Sequence, residues 1–177
     1  MNPRLLRTLL LATAAFLAAL LGARALLPDR AAPPVLERAV WLPDGPPLPE
    51  VAFVDEAGAP FDARRLQGRW TYVFFGFASC PDICPTTLAT LASVRSSLRD
   101  LPTELQPEVL LVTVDPSRDD ATRLAPYVRH FDPAFHAVTG NEAGLARLAS
   151  VLGAAYARVP LAGGGYTMDH TSSLFLL

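Results

Sequence analysis

Two unbroken apolar runs, Trp70-Thr71-Tyr72-Val73-Phe74-Phe75 and Val109-Leu110-Leu111-Val112-Thr113-Val114, restrict what this chain can fold into more than any other feature. A strand on a half-wet sheet alternates apolar and polar residues, whereas a strand covered on both faces reads as a continuous apolar run. Between the two runs, Leu88, Leu91, Val94 and Leu98 recur at helical spacing across Thr86 to Leu98. Asp115-Pro116 ends the second run, a further helix is expected from Asp119 or Asp120 to about His130, and His136-Ala137-Val138 reads as a short strand. Strand and helix therefore alternate from Trp70 to Val138, which predicts an α/β sheet with parallel pairs. With 177 residues, 51% of them hydrophobic, the chain can fill one such core and carry an appendage.

Both flanks add elements. Val51-Ala52-Phe53-Val54, a turn at Asp55 to Gly58 and a return at Pro60-Phe61 predict an N-terminal hairpin. Asp62 is placed to cap a short helix that ends at Gly68. Asn141 is placed to cap a helix over Glu142 to Leu152, with Gly153 as its stop. Ala154 to Val159 is a strand candidate, Gly163-Gly164-Gly165 opens a flexible loop that runs up to Asp169, and Ser172 to Leu177 is an apolar strand. The two cysteines fall where the first buried strand gives way to a helix, at a carboxyl end of the sheet, where open α/β sheets gather their chemistry. Together these features predict a thioredoxin-like fold over residues 48–177, extended by the N-terminal hairpin.

Residues 1–27 read as an export segment. Arg4 and Arg7 precede the uncharged run Thr8 to Ala23, rich in Leu and Ala. Ala23-Arg24-Ala25 has the small-x-small form of a signal-peptidase site. With Leu5 and Leu6 added, the run nears the roughly 17–25 residues of a spanning helix, and an uncleaved anchor is the favoured reading, with a cytoplasmic N-terminus. Pro28 to Pro49 contains seven prolines, and residues 28–47 have a composition that suits an extended linker. A formal net charge of -2 gives no reason to expect nucleic-acid binding.

Cys80 and Cys84, in Ala78-Ser79-Cys80-Pro81-Asp82-Ile83-Cys84-Pro85-Thr86-Thr87, leave several roles open. As a structural disulfide they would close a five-residue loop, worth about 2 kcal/mol against roughly 4.7 for a 100-residue loop. As a redox couple they have three intervening residues where thioredoxin-type motifs have two. Peroxidases resemble each other in a Thr or Ser three residues before the reactive cysteine; here those positions are Pro81 and Phe77, and that reading is set aside. Pro85 suits the first turn of a helix, which puts Cys84 at the positive end of the helix dipole and favours thiolate there.

A metal site would need a third ligand. His130 falls at a helix end and His136 opens a strand, both ordinary structural positions, whereas His170 sits between a glycine-rich loop and the last strand. A lone histidine is more often structural than a ligand. Two thiolates and one imidazole would be a soft set suited to Cu(I), and to Cu(II) with a further weak ligand, while structural zinc takes four protein ligands. Met168 is a soft neighbour in sequence whose ordinary role is packing. Asp115-Pro116 and Arg118-Asp119 read as a turn and helix cap.

The stretches Phe74 to Leu88 (FFGFASCPDICPTTL), Val112 to Asp120 (VTVDPSRDD) and Tyr166 to Leu177 (YTMDHTSSLFLL) resemble the Sco/SenC family of membrane-anchored, thioredoxin-like copper proteins. The resemblance implies copper delivery to the binuclear copper centre of a respiratory cytochrome oxidase, with Cys80, Cys84 and His170 as metal ligands and Asp82 within the motif but not a ligand. It implies a domain held outside the cytoplasm at a bacterial inner membrane, in the periplasm, and partners in an oxidase subunit and a thioredoxin-like reductant. Thiol–disulfide exchange on an oxidase subunit, by Cys80 and Cys84, is the enzymatic alternative; a redox or copper sensor is a third reading. Relatives look longer beyond Leu177, so C-terminal elements are expected to be missing here.

Overall fold

The computed structural model describes residues 3–26, 37, 39–42 and 45–177. The chain divides into two compact units, Met1–Gly45 and Pro46–Leu177. In the first, α1 (Pro3–Leu26) runs for 24 residues. The structure does not confirm the expected membrane-spanning anchor: among the described residues, no helix is long and apolar enough to cross a membrane. The 16 uncharged residues from Thr8 to Ala23 rise about 24 Å at 1.5 Å each, against a hydrocarbon core of about 30 Å. Most of the expected linker, 28–47, lies outside the described residues.

In the second unit the two apolar runs become β3 (Thr71–Gly76) and β4 (Glu108–Thr113), paired in parallel from Thr71↔Glu108 to Gly76↔Thr113. The helix that crosses between them, α2 (Ile83–Ser97), buries Cys84, Leu88 and Leu91 against the sheet. Next come α3 (Ala121–Arg129), capped by the Asp120 carboxylate on the Arg123 N–H, and β5 (His136–Gly140), parallel to β4. The N-terminal hairpin forms as β1 (Phe53–Asp55) and β2 (Pro60–Phe61), with β1 antiparallel to β5. Asp62 caps a 3-10 turn, Ala63–Leu66. α4 (Glu142–Leu152) starts with Asn141 Oδ1 accepting from the Gly144 N–H at 2.8 Å and stops at Gly153, whose φ is 73°. β6 (Tyr156–Pro160), β7 (Tyr166–His170) and β8 (Leu174–Leu176) follow.

Among the described residues, the main sheet has the order β2-β1-β5-β4-β3-β8, and β6–β7 form a separate two-stranded sheet. Phe74, Phe75, Phe77, Leu88, Leu111 and Leu124 are essentially sealed from solvent, each worth roughly 1.5–3 kcal/mol of burial. Phe175 of β8 turns inward, edge-on to Phe75 at 5.8 Å between centroids. One element departs from expectation. Tyr166 to His170, read as the tail of a glycine loop, is a strand, because Tyr166, Met168 and His170 alternate with Thr167 and Asp169 at period two. The glycines confine themselves to the turn before it. Since β3, β4 and β5 run parallel, the segments after β3 and after β4 meet at one end of the sheet, and that end carries the chemistry.

Candidate metal centre

After Gly76 the chain turns through Phe77 to Asp82 and enters α2. Cys80 N–H donates to the Phe77 carbonyl at 3.1 Å. Ala78 N–H donates to Asp119 Oδ2 at 2.9 Å, and the same oxygen accepts from Thr113 Oγ1 at 2.7 Å. A buried carboxylate thus ties the cysteine loop to the end of β4. Cys84 lies in the first turn of α2, fully buried, while Cys80 is half-buried, and both are free thiols. The Cys84 N–H points at Cys80 Sγ from 3.4 Å. Asp82, at the helix N-cap, makes no side-chain cap bond and is exposed.

Behind Cys84 stands Gly76. A Cβ there would come within 2.8 Å of the Phe74 ring and 3.0 Å of both Cys84 Sγ and Leu111 Cδ1. Only a residue with no side chain lets the sulfur sit where it does.

β7 delivers His170 to the same place. Its Nε2 lies 3.4 Å from Cys84 Sγ, and its Nδ1 lies 3.1 Å from the Thr171 carbonyl oxygen. A carbonyl can only accept, so Nδ1 carries the proton and Nε2 turns its lone pair to the sulfurs. Phe74 and Phe77 present their rings edge-on to the imidazole, each at 5.9 Å. The donor atoms of Cys80, Cys84 and His170 all lie within 4.8 Å of one another. In a thiolate–imidazole metal site with bonds of about 2.0–2.3 Å, donors stand roughly 3.5–4 Å apart. Small side-chain rotations bring this set to that spacing, so the residues fit a metal ion.

The electrostatics correct one expectation. The helix dipole does not make Cys84 a ready thiolate: burial pushes its thiol well up, a hydrogen bond with Cys80 adds to this, and a backbone hydrogen bond from Phe77 offsets only part. Taking sulfur out of water outweighs the partial charge of a helix end. A bound cation reverses the balance by replacing the proton.

The other histidines stay apart from this cluster. His136 Nδ1 meets Glu56 Oε1 at 3.0 Å, at the amino end of β5 and so at the opposite end of the sheet, while His130 packs edge-on to Phe131 at 5.2 Å. Met168 is buried in the core. Sequence reasoning overlooked Gly76 and Asp119 as parts of the site. Asp119 had a sequence signal in VTVDPSRDD, but its bond to Ala78 spans 41 positions and has no local signature.

Residues 49–177 match the SCO1/SenC family. A Stutzerimonas stutzeri protein named as copper-binding is 37% identical over 138 residues, 77% of this chain and 66% of its own length. A SCO2-like protein of Rickettsia conorii is 34% identical over 131 residues, 71% of this chain and 61% of its own length. The chain therefore matches less than two thirds of the length of these relatives. Among solved structures, Arabidopsis thaliana ScoI with copper bound aligns with a TM-score of 0.68 at 26% identity, covering 73% of this chain and 80% of that one. Yeast Sco1 with copper bound aligns at 0.66 and 27% identity, covering 75% and 74%. The fold is the thioredoxin-like α/β fold of these structures.

Proposed function

The chain belongs to the SCO1/SenC family, and we propose that it binds one copper ion through Cys80, Cys84 and His170 and delivers it to the binuclear copper centre of a respiratory cytochrome oxidase. The observation that carries this reading is the approach of three soft donor atoms, drawn from α2 and its entry loop and from β7, to within 4.8 Å. Two thiolates and a neutral imidazole hold Cu(I) well, and Cu(II) when a weak ligand joins. The proton on Nδ1, fixed by the Thr171 carbonyl, commits Nε2 to the metal. Similarity to copper-bound ScoI and Sco1 supports the cargo. Delivery is supported by the partial exposure of Cys80, which a receiving ligand could approach. Both thiols must be reduced before loading, so a thioredoxin-like reductant belongs to the same scheme. So does export of the Pro46–Leu177 unit, with α1 as signal or tether at a bacterial inner membrane; fractionation of cells carrying the full chain tests that part.

Copper titration of the reduced full chain against a chromophoric Cu(I) chelator tests the binding. Wild type is expected to hold one equivalent. Cys80→Ser, Cys84→Ser and His170→Ala are each expected to release it. Wild-type affinity in His170→Ala would sink the ligand set. A second reading, thiol–disulfide exchange on an oxidase subunit, is favoured by the two adjacent free thiols at the start of α2. Its activity would survive His170→Ala and vanish in either serine variant.

A further inference from the structure

We infer that a clamp of Arg158, Tyr166 and Arg118, anchored on Asp115, positions His170 against the two sulfurs; its purpose rests on the copper reading above, its existence on geometry alone. Among the described residues, β6 and β7 pair only with each other. A two-stranded hairpin on its own is marginal in water. The placement of His170 must therefore come from side chains that dock the hairpin on the domain.

Met168, midway along β7, is buried in the core, and Tyr166 supplies a second docking point. Arg118 Cζ lies 3.9 Å and Arg158 Cζ 4.1 Å over its ring centroid. Two guanidinium groups cannot share the space above one face, so the ring is held between them. Tyr166 Oη donates to Asp115 Oδ1 at 2.9 Å, and Arg118 donates from Nε to Asp115 Oδ2 and from Nη1 to the Tyr166 carbonyl at 3.1 Å. Arg158 Nη2 donates to Ser117 Oγ at 3.2 Å. Among the described residues, the buried Arg118 Nη2 has no hydrogen-bond partner.

The column continues into the site. Arg118 Cζ lies 6.0 Å from the Phe77 ring centroid, and Phe77 meets the His170 ring at 5.9 Å. Tyr166 and His170 are four residues apart on one strand, hence on the same face. Fixing the first aims the second. The anchor is also shared: Asp119, four residues after Asp115, holds the cysteine loop through Ala78. The short segment Asp115 to Asp119 is thus the common mount of both halves of the ligand set. Arg118, Arg158 and Tyr166 are positioning residues, outside the donor set of Cys80, Cys84 and His170.

Tyr166→Leu and Tyr166→Phe in the full chain test this, with Arg158→Ala as a milder third variant should the first fail to fold. Hydrogen–deuterium exchange on the reduced, metal-free protein reads the clamp directly. Exchange across Met168 to His170 is expected to quicken in Tyr166→Leu, and less in the other two, with β4 and α2 unchanged. Cu(I) affinity is expected to fall about tenfold in Tyr166→Leu, since apparent affinity scales with the fraction of molecules holding the imidazole in place. The imidazole nitrogen coupling in the Cu(II) spectrum should weaken in step. Wild-type exchange in every variant overturns the clamp. Faster exchange with wild-type copper affinity and nitrogen coupling overturns its positioning role. Faster exchange in a chain whose wild type takes no copper leaves the clamp standing and removes the copper reading instead.

Discussion

Gly76 and Asp119 show how far the site depends on residues that touch no ligand. Gly76→Ala forces a methyl against Phe74, Leu111 and Cys84, all of them sealed in the core. The expected cost is about 1–3 kcal/mol, as for other overpacked cores, read as a lower urea midpoint. Because the sulfur itself must yield, copper affinity should fall as well, which a chelator titration measures. Asp119→Ala leaves the Ala78 N–H and the Thr113 hydroxyl proton without their acceptor, although Thr113 Oγ1 still accepts from the Asp115 N–H. Its expected cost is again about 1–3 kcal/mol, with looser exchange across Ala78 to Cys80. Neither role was legible in the sequence, since each depends on which side chains meet across the sheet. The cysteines were legible, because their spacing, their prolines and the apolar run before them are local. His170 was singled out by its place before the last strand, but its approach to the sulfurs rested on family resemblance. The state of Cys84 was misread: the helix end is visible in sequence, and the depth of burial is not.

Among the elements, the β6–β7 hairpin was the hardest to read. Its strands are short, and its turn residues Gly164 and Gly165, with φ of 87° and 76°, made the neighbouring strand look like more loop. That backbone makes a prediction. Gly164→Ala imposes a left-handed conformation that costs an L-residue about 1–2 kcal/mol, and thermal unfolding of the full chain should register it. The long parallel strands and their helices were legible throughout, because continuous apolar runs and helical leucine spacing leave few alternatives. Cap residues were equally plain: Asn141 and Gly153 bracket α4 as their chemistry requires. The α1 helix formed over an apolar stretch that sequence could identify, and among the described residues no helix is long and apolar enough to cross a membrane.

For the molecule as a whole, acid should loosen the N-terminal hairpin. Burial works to raise the Asp55 pKa, but the Arg65 guanidinium and the Ala59 and Ala57 N–H groups outweigh it and hold the carboxyl below its ordinary 3.8. Their bonds run 2.6, 2.8 and 3.0 Å. A depressed folded pKa gives stability that is complete above the unfolded value and lost as pH falls through the folded one. Urea midpoints at pH 7 and pH 3 should therefore differ less in Asp55→Asn than in wild type, the variant being weaker mainly at neutral pH.

The unequal depth of the two sulfurs also gives any exchange a direction. With Cys84 walled in by Gly76, Phe74 and Leu111 and Cys80 facing outward, an approaching nucleophile or rival chelator encounters the outer sulfur first. If a metal is held and passed on as proposed, it would leave by way of Cys80 and let go of Cys84 last, an order set by the unequal burial of the two sulfurs.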